Sequence, residues 1–255
     1  MERYLLVLAT LLAAAAGYWG MRSVHRGIRS RWTVVWMVAV LACQFGFLVL
    51  RGELRKSCPL NDPGEILAYL AWAVTLFYLL VGPAYRLSLL GLFSIPLVVV
   101  MQTAALAFLF TSSDPVAIVD KGVARSVHSA VAGLAYGALG LAAISGVMFI
   151  TLDRQLKERK LASGLFHNMP SAHLLLVSME RLMWIGTGLL TVGLVAGLMM
   201  RGRPGVNPHL VMAFLAWFSY LALLVFKLAR GISGRKLSVA AVGIFLVSLL
   251  VFASI

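Results

Sequence analysis

Two histidines are the side chains with the clearest potential for chemistry. His128 and His209 each begin a long apolar stretch, at what we predict to be the outer membrane surface. A neutral imidazole is a good ligand for haem iron or another transition metal. Two imidazoles at the same depth could bind one iron from opposite faces if their helices faced each other. The alternative is that both are ordinary histidines of a membrane interface, and the residues alone leave both interpretations open.

A carboxylate and two aromatic side chains share one predicted helix face: Glu65, Tyr69 and Trp72. Asp62 is a suitable N-cap residue, and Glu65 follows it by three positions, which favours a capping box. The alternative role for Glu65 is an acid at the edge of a ligand cleft. Tyr69 and Trp72 favour an interfacial aromatic belt, and an aromatic wall facing a flat ligand is the alternative.

The sequence contains no recognisable catalytic set. It has no P-loop, no Gly-x-Gly-x-x-Gly after a strand and no His-Glu-x-x-His motif. Its two cysteines, Cys43 and Cys58, form neither a Cys-x-x-Cys nor a Cys-x-x-Cys-His motif, so no dithiol redox site or covalent haem attachment is encoded. We therefore expect a protein that is not an enzyme, with no catalytic residue and no metal site beyond haem iron.

Composition places the chain in a membrane. Of its 255 residues, 61% are hydrophobic and only 12% are charged, whereas a soluble domain is about half apolar and about a quarter charged. The net charge of +13 comes from basic residues in short turns between apolar stretches. Anionic lipid headgroups, and not nucleic acid, are the natural partner for such turns.

Eight apolar stretches are long enough to cross a bilayer, which takes about 20 residues each. We predict an all-α, polytopic integral membrane bundle in which residues 1–255 form a single transmembrane domain. The predicted spans are residues 4–21, 32–50, 66–85, 88–110, 128–151, 178–200, 209–229 and 237–254. The distribution of Lys and Arg predicts that both termini lie outside. Residues 152–169 should form an amphipathic segment on the cytoplasmic surface.

The fifth span should be the central helix of this bundle. Small residues line two of its sides, and such residues let helix backbones approach closely in lipid. The side that begins with His128 continues through Ala132, Ala135, Leu139, Ala142, Ala143 and Gly146. The opposite side carries Gly133, Gly137 and Gly140. We therefore predict a helix packed on both sides, with an imidazole at its outer end.

Several stretches resemble the cytochrome c assembly family (CcsA/ResC/CcmC), and most closely its small HemX/YpjD-type members. The resemblance covers most of the chain from about Arg51. It rests on CPLNDPGEILAYLAW, YRLSLLGLFSIPL, VHSAVAGLAYGALGLAAISGVMFI, DRQLKER, ERLMWIGTGLLTVGLVAG, NPHLVMAFLAWFSYL and ARGISGRK, in that order. The resemblance implies a bacterial inner-membrane protein that binds or handles haem in cytochrome c biogenesis.

The resemblance also implies which residues bind. His128 matches the first external histidine of the family, and His209 is a weaker second candidate that matches no family ligand. Pocket-lining candidates are then Glu65, Tyr69, Trp72, Trp217 and Tyr220. The family's tryptophan-rich outer loop is here only RGRPGVNPH, and its intramembrane histidine is replaced around Phe226 and Lys227. Possible partners are other cytochrome c maturation proteins.

Two other functions compete with haem handling. In the first, the protein is a non-catalytic adaptor or regulator whose basic cytoplasmic surface, residues 154–160 and 230–236, docks a tetrapyrrole-synthesis enzyme. In the second, it transports a small solute, against which the lack of a clear repeat argues. Near the same inner surface, Glu180 should pair with Arg181 or with a neighbouring helix. Lys227 should extend to the headgroups beside Arg230.

Overall fold

The computed structural model describes residues 2–25, 32–82, 88–112, 123–157, 172–200 and 208–253. These residues form eight helices and contain no β-strand, which confirms the all-α prediction for the described part of the chain. In chain order the helices are α1 (Glu2–His25), α2 (Trp32–Arg55), α3 (Pro63–Val81), α4 (Ser88–Thr111), α5 (Val123–Lys157), α6 (Ala172–Leu198), α7 (Pro208–Arg230) and α8 (Gly234–Ala253).

Each predicted span lies largely within one helix, but several helix ends differ from the predicted ones. The helix α2 continues to Arg55, α5 runs from Val123 to Lys157, and α6 begins at Ala172. Hydropathy marks only the part of a helix that suits lipid, whereas backbone hydrogen bonding continues into polar residues. The third helix is shorter than predicted and ends at Val81. Of the amphipathic segment 152–169, residues 152–157 complete α5 and the rest lies outside the described residues.

Seven of the eight helices are long and apolar enough to cross a membrane, and α8 is the helix not included among them. Large apolar side chains are exposed along these helices, for example Leu215 and Phe218 on α7 at 53% and 56%. Soluble proteins rarely expose apolar surface on this scale. The chain is therefore a multi-pass membrane protein, while the count of eight spans and the outer position of both termini stay predictions.

The helices group into two units, α1–α4 and α5–α8. In the first unit, α1 contacts α2 and α4, and α3 contacts α2 and α4. In the second, α5 contacts α6 and α8, and α7 contacts α6 and α8. Each unit is thus a ring of four helices with a core at its centre.

Neighbouring helices of the first unit are antiparallel. The end of α2 meets the start of α3, where Arg51 donates to Glu65. The start of α3 meets the end of α4, where a Cβ on Gly64 would lie 2.9 Å from the Leu109 Cγ atom and 3.0 Å from the Ala105 carbonyl oxygen. A side chain at position 64 would therefore push α3 away from α4.

In the second unit, α5 packs on both sides as predicted. The histidine side faces α6, because a Cβ on Gly186 of α6 would lie 2.6 Å from Leu139. The glycine side faces α8, because a Cβ on Gly140 would lie 3.2 Å from Phe245. At the end of α7, Gly231 adopts a φ of 64°, which a side chain would disfavour and which ends the helix.

Candidate functional site

His128 lies in the second turn of α5 and is half-buried. Its Nδ1 atom lies 2.7 Å from the backbone carbonyl oxygen of Gly193 in α6. A carbonyl oxygen can only accept a hydrogen bond, so Nδ1 carries the proton and donates it. The Nε2 atom of the neutral ring then keeps its lone pair. Histidines that bind metals in proteins are oriented by the same type of contact.

The close approach of α5 to α6 makes this hydrogen bond possible. One turn after His128, the Ala132 backbone nitrogen would lie 3.8 Å from a Cβ placed on Gly193. Small residues at this contact bring the two backbones within reach of one imidazole. The sequence predicted the imidazole and the small residues, but it did not identify Gly193 as the acceptor.

Within the described residues, no group of three or more His, Cys, Asp and Glu side chains could hold a metal ion. A bare zinc ion takes three or four protein ligands. Haem supplies four nitrogen ligands of its own and needs only an axial one from the protein. A single oriented imidazole therefore fits haem iron better than it fits a bare ion.

The second predicted ligand is on another helix of the same unit. His209 lies in the first turn of α7, and its side chain is outside the described part of the structure. Its role as a ligand therefore stays a prediction.

Trp217 and Tyr220 lie further along α7. The Trp217 Nε1 atom donates to the Thr191 Oγ1 atom of α6 over 2.8 Å. Tyr220 is fully buried, and its hydroxyl lies 3.5 Å from the Ala241 carbonyl oxygen of α8. His128 and Trp217 thus hydrogen bond to residues of one α6 turn, while Tyr220 packs α7 against α8.

Glu65 is fully buried at the start of α3. Its Oε2 atom accepts from the Asn61 backbone nitrogen at 3.0 Å and from the Asp62 nitrogen at 3.4 Å. This contact completes the capping box that the sequence predicted. The same carboxylate also binds two guanidinium groups, those of Arg51 and Arg55, each with Nε 2.8 Å from Oε1.

These residues belong to a larger group of charges, here called the ionic cluster: Glu2, Arg51, Arg55, Asp62 and Glu65. Arg51 is fully buried and also donates to the Glu2 Oε1 atom at 2.5 Å. Arg55 also hydrogen bonds to Asp62. The cluster joins the ends of α1, α2 and α3. Because it engages Glu65 so fully, the structure places this carboxylate in helix capping and ion pairing.

Tyr69 and Trp72 follow Glu65 along α3. Their ring centroids are 5.4 Å apart, and Trp72 also lies 6.4 Å from the ring of Phe45 on α2. Tyr69 is buried, and the buried Trp72 Nε1 atom has no hydrogen-bond partner among the described residues. Glu65, Tyr69 and Trp72 therefore belong to the first unit, whereas His128, His209, Trp217 and Tyr220 belong to the second.

Comparison with known proteins identifies a family. The family described as cytochrome C assembly protein matches residues 64–255, which is most of the chain. The chain belongs to the cytochrome c assembly family. The matched range includes His128 and all the pocket-lining candidates, while α1 and α2 precede it.

Similar proteins extend this match towards the N-terminus. A cytochrome c biogenesis protein CcsA from Synechococcus sp. (strain CC9902) is 26% identical over 93% of this chain and 87% of its own length. A CcsA from Prochlorococcus marinus (strain MIT 9301) is 26% identical over 80% of this chain and 75% of its own. A CcsA from Mesostigma viride is 22% identical over 72% of this chain and 69% of its own length.

An ion pair joins the last turns of α7 to α6. The Lys227 ammonium of α7 hydrogen bonds to the Glu180 carboxylate of α6, and each side chain is about one quarter exposed. Glu180 therefore pairs with a neighbouring helix, one of the two predicted alternatives. The prediction that Lys227 simply extends to the headgroups beside Arg230 is wrong, because a carboxylate of the adjacent helix lies within its reach.

The predicted basic cytoplasmic surface is described only in part. Lys157 is mostly exposed and pairs with Asp153 one turn earlier on α5. Arg230 lies 5.6 Å from the ring centroid of Phe226 on α7. Residues 158–160, which would continue this surface, lie outside the described residues.

Proposed function

We propose that this protein binds haem and assists its handling in cytochrome c biogenesis, as a multi-pass protein of the bacterial cytoplasmic membrane. The observation that carries the proposal is the hydrogen bond from His128 Nδ1 to the Gly193 carbonyl oxygen, at 2.7 Å. Family membership and the CcsA names of similar proteins support the biological process. The specific likeness to HemX-type members stays a prediction.

His128 is the residue that would hold the haem iron. Its hydrogen bond to α6 fixes the tautomer, leaves Nε2 available to an iron atom and limits rotation of the ring. Haem would supply the iron and its redox chemistry, and its flat apolar surface suits a membrane bundle. The chain's own part is to hold and present this group, so no bond is made or broken by its side chains. We propose other cytochrome c maturation proteins as its partners.

The test is an optical spectrum of the protein purified in detergent, with and without added haem, in oxidised and reduced states. We expect a Soret band that is lost or strongly weakened in His128→Ala. His173→Ala is the matched control. His173 is exposed in the first turn of α6, the helix that carries Gly193. It lies about 30 Å along the helix axis from Gly193, at 1.5 Å per residue.

The outcomes separate the competing functions. A band that persists unchanged in His128→Ala would show that another residue binds the iron. The absence of any band after haem addition would contradict haem binding and favour the adaptor. A band lost equally in His173→Ala would mean that the loss reports unfolding and not ligation.

A further inference from the structure

Two glutamines in the first unit have no use in the proposed function. Gln44 on α2 and Gln102 on α4 are both fully buried, each with 0% of its surface exposed. Neither the nitrogen nor the oxygen of either carboxamide has a hydrogen-bond partner within the described residues. Buried amides are strongly disfavoured unless they are hydrogen bonded, so both groups require a partner.

Both glutamines occupy core positions of their helices. The buried side of α2 repeats every three or four residues, through Met37, Val40, Gln44, Phe47 and Arg51. The buried side of α4 has the same spacing, through Ile95, Val98, Gln102, Ala105 and Leu109. This spacing directs one face of each helix into the bundle. Each glutamine therefore stands where its helix would otherwise place an apolar core residue.

The level of Gln44 in the bundle follows from α1, which runs antiparallel to α2. A Cβ on Gly46 would lie 3.4 Å from Leu5, and a Cβ on Gly20 would lie 3.6 Å from Thr33. Leu5 of α1 is thus level with Gly46 of α2. Gln44 precedes Gly46 by two residues and follows Thr33 by eleven, so the two contacts place it level with residues 7 to 9 of α1.

The level of Gln102 follows from the same helix. A Cβ on Gly17 of α1 would lie 3.2 Å from Ile95 of α4. Gln102 follows Ile95 by seven residues, so in the antiparallel pair it is level with Thr10. The two glutamines therefore differ by one to three residues of α1, or about 1.5–4.5 Å along the bundle axis at 1.5 Å per residue. Both lie near the middle of their helices.

A small side chain of α1 lies between the levels of the two carboxamides. Ala9 is the fully buried residue of α1 between these levels, and the fully buried residues on either side of it are Leu6 and Ala13. The nearby Thr10 hydroxyl already donates to the Leu6 carbonyl oxygen at 2.8 Å. The helices α2 and α4 occupy opposite corners of the ring, since each contacts both α1 and α3. The two amides thus lie on the core sides of helices at opposite corners of the ring, at levels within about 4.5 Å of each other along the bundle axis.

We propose that Gln44 and Gln102 together form an internal binding site for water at mid-depth of the first unit. Each carboxamide offers two donors and one acceptor, and the pair carries no charge. Water donates twice and accepts twice, so it can bridge two such groups, and a buried water needs two to four polar partners. A cation would require several oxygen ligands. The carboxylates of the ionic cluster lie at the helix ends and not at the level of the two glutamines.

The chain is well suited to a direct test because it contains only three glutamines, Gln44, Gln102 and Gln155. Solid-state NMR of protein labelled with 15N-glutamine in lipid bilayers gives three side-chain amide signals. Gln44→Met and Gln102→Met assign them, since methionine has a similar volume without the amide. Water-edited transfer then reports which amides contact water. Gln155, near the end of α5, is the positive control.

We expect both core amides to receive magnetisation from water. In Gln44→Met, transfer to the Gln102 amide should fall at least twofold, because the shared water loses half of its partners. No transfer to either core amide in the unmodified protein would overturn the proposal, including the case of a direct amide–amide hydrogen bond. Unchanged transfer to Gln102 in Gln44→Met would overturn the shared site. A cooperative thermal unfolding transition of each variant shows that the variant is folded.

Discussion

Replacing Arg51 by methionine tests the ionic cluster most sharply. The Arg51 side chain is fully buried and binds the carboxylates of both Glu65 and Glu2. Methionine fills a similar volume without the charge. Glu65 would keep Arg55 and the Asn61 backbone nitrogen. Glu2 would lose its Oε1 contact, and its Oε2 atom has no hydrogen-bond partner within the described residues.

The magnitude follows from the carboxylate left behind. Removing one partner of a buried ion pair destabilises a protein by about 3–5 kcal/mol, because the remaining charge is uncompensated. We expect Arg51→Met to lie in this range. Adding Glu2→Gln should recover part of this loss, because the unpaired neutral amide that remains costs only about 1–3 kcal/mol. If the second substitution restores stability, the loss in Arg51→Met comes from the unpaired Glu2 carboxylate and not from lost packing.

Equilibrium unfolding in mixed detergent micelles, followed by tryptophan fluorescence, measures these differences. The control is Lys157→Met, since Lys157 is mostly exposed and its pair with Asp153 is an i,i+4 contact. Such exposed pairs contribute about 0.3–0.5 kcal/mol. If Arg51→Met is no more destabilising than this control, the cluster does not hold α1, α2 and α3 together as described.

Two further predictions concern the second unit. Gly186→Ala should destabilise the protein by about 1–3 kcal/mol, because the new methyl group would overlap Leu139. The control is Gly188→Ala, which should be neutral or stabilising because no atom lies within 4 Å of the new methyl group. Thermal unfolding compares the two variants. Lys227→Met should leave the Glu180 carboxylate unpaired and lower stability by about 1–3 kcal/mol. Adding Glu180→Gln should restore part of this loss in the same assay, and a purely additive double variant would contradict an interacting pair.

Much of the fold could be predicted from hydrophobic patterning. The apolar stretches locate all eight helices, and the glycines and alanines of α5 predict the two sides on which it packs. The helix ends were harder to predict, because the apolar stretch stops several residues before the helix ends. The helix α2 continues through Arg51 to Arg55, whose charges find partners in the bundle.

Long-range pairs were the main feature that the sequence did not reveal. Glu2 and Arg51 are separated by 49 positions, and Glu180 and Lys227 by 47. Nothing in the local sequence specifies such partners, since they depend on which helices become neighbours. A signal was present, however: Arg51 and Arg55 lie one turn apart at the end of an apolar stretch, just before an acidic capping box. Capping by Glu65 itself was predictable because it is local.

The candidate site could be predicted only in part, because its contacts also join residues that are far apart in the sequence. His128 stood out as an imidazole at a helix end, but its acceptor on Gly193 required the packing of α5 on α6. The aromatic candidates stand out in the sequence only by residue type and position. The structure shows what each one contacts within its own unit, and their role in lining a haem pocket stays a prediction.

The most direct test of the central claim is chemical rescue of His128→Gly. This variant removes the imidazole and leaves space for a free one. Haem bound through His128 Nε2 predicts that the Soret band is lost in His128→Gly and returns on addition of millimolar imidazole, with no such return in His128→Leu, whose side chain fills the space. A band that survives in His128→Gly without imidazole would contradict His128 as the haem ligand.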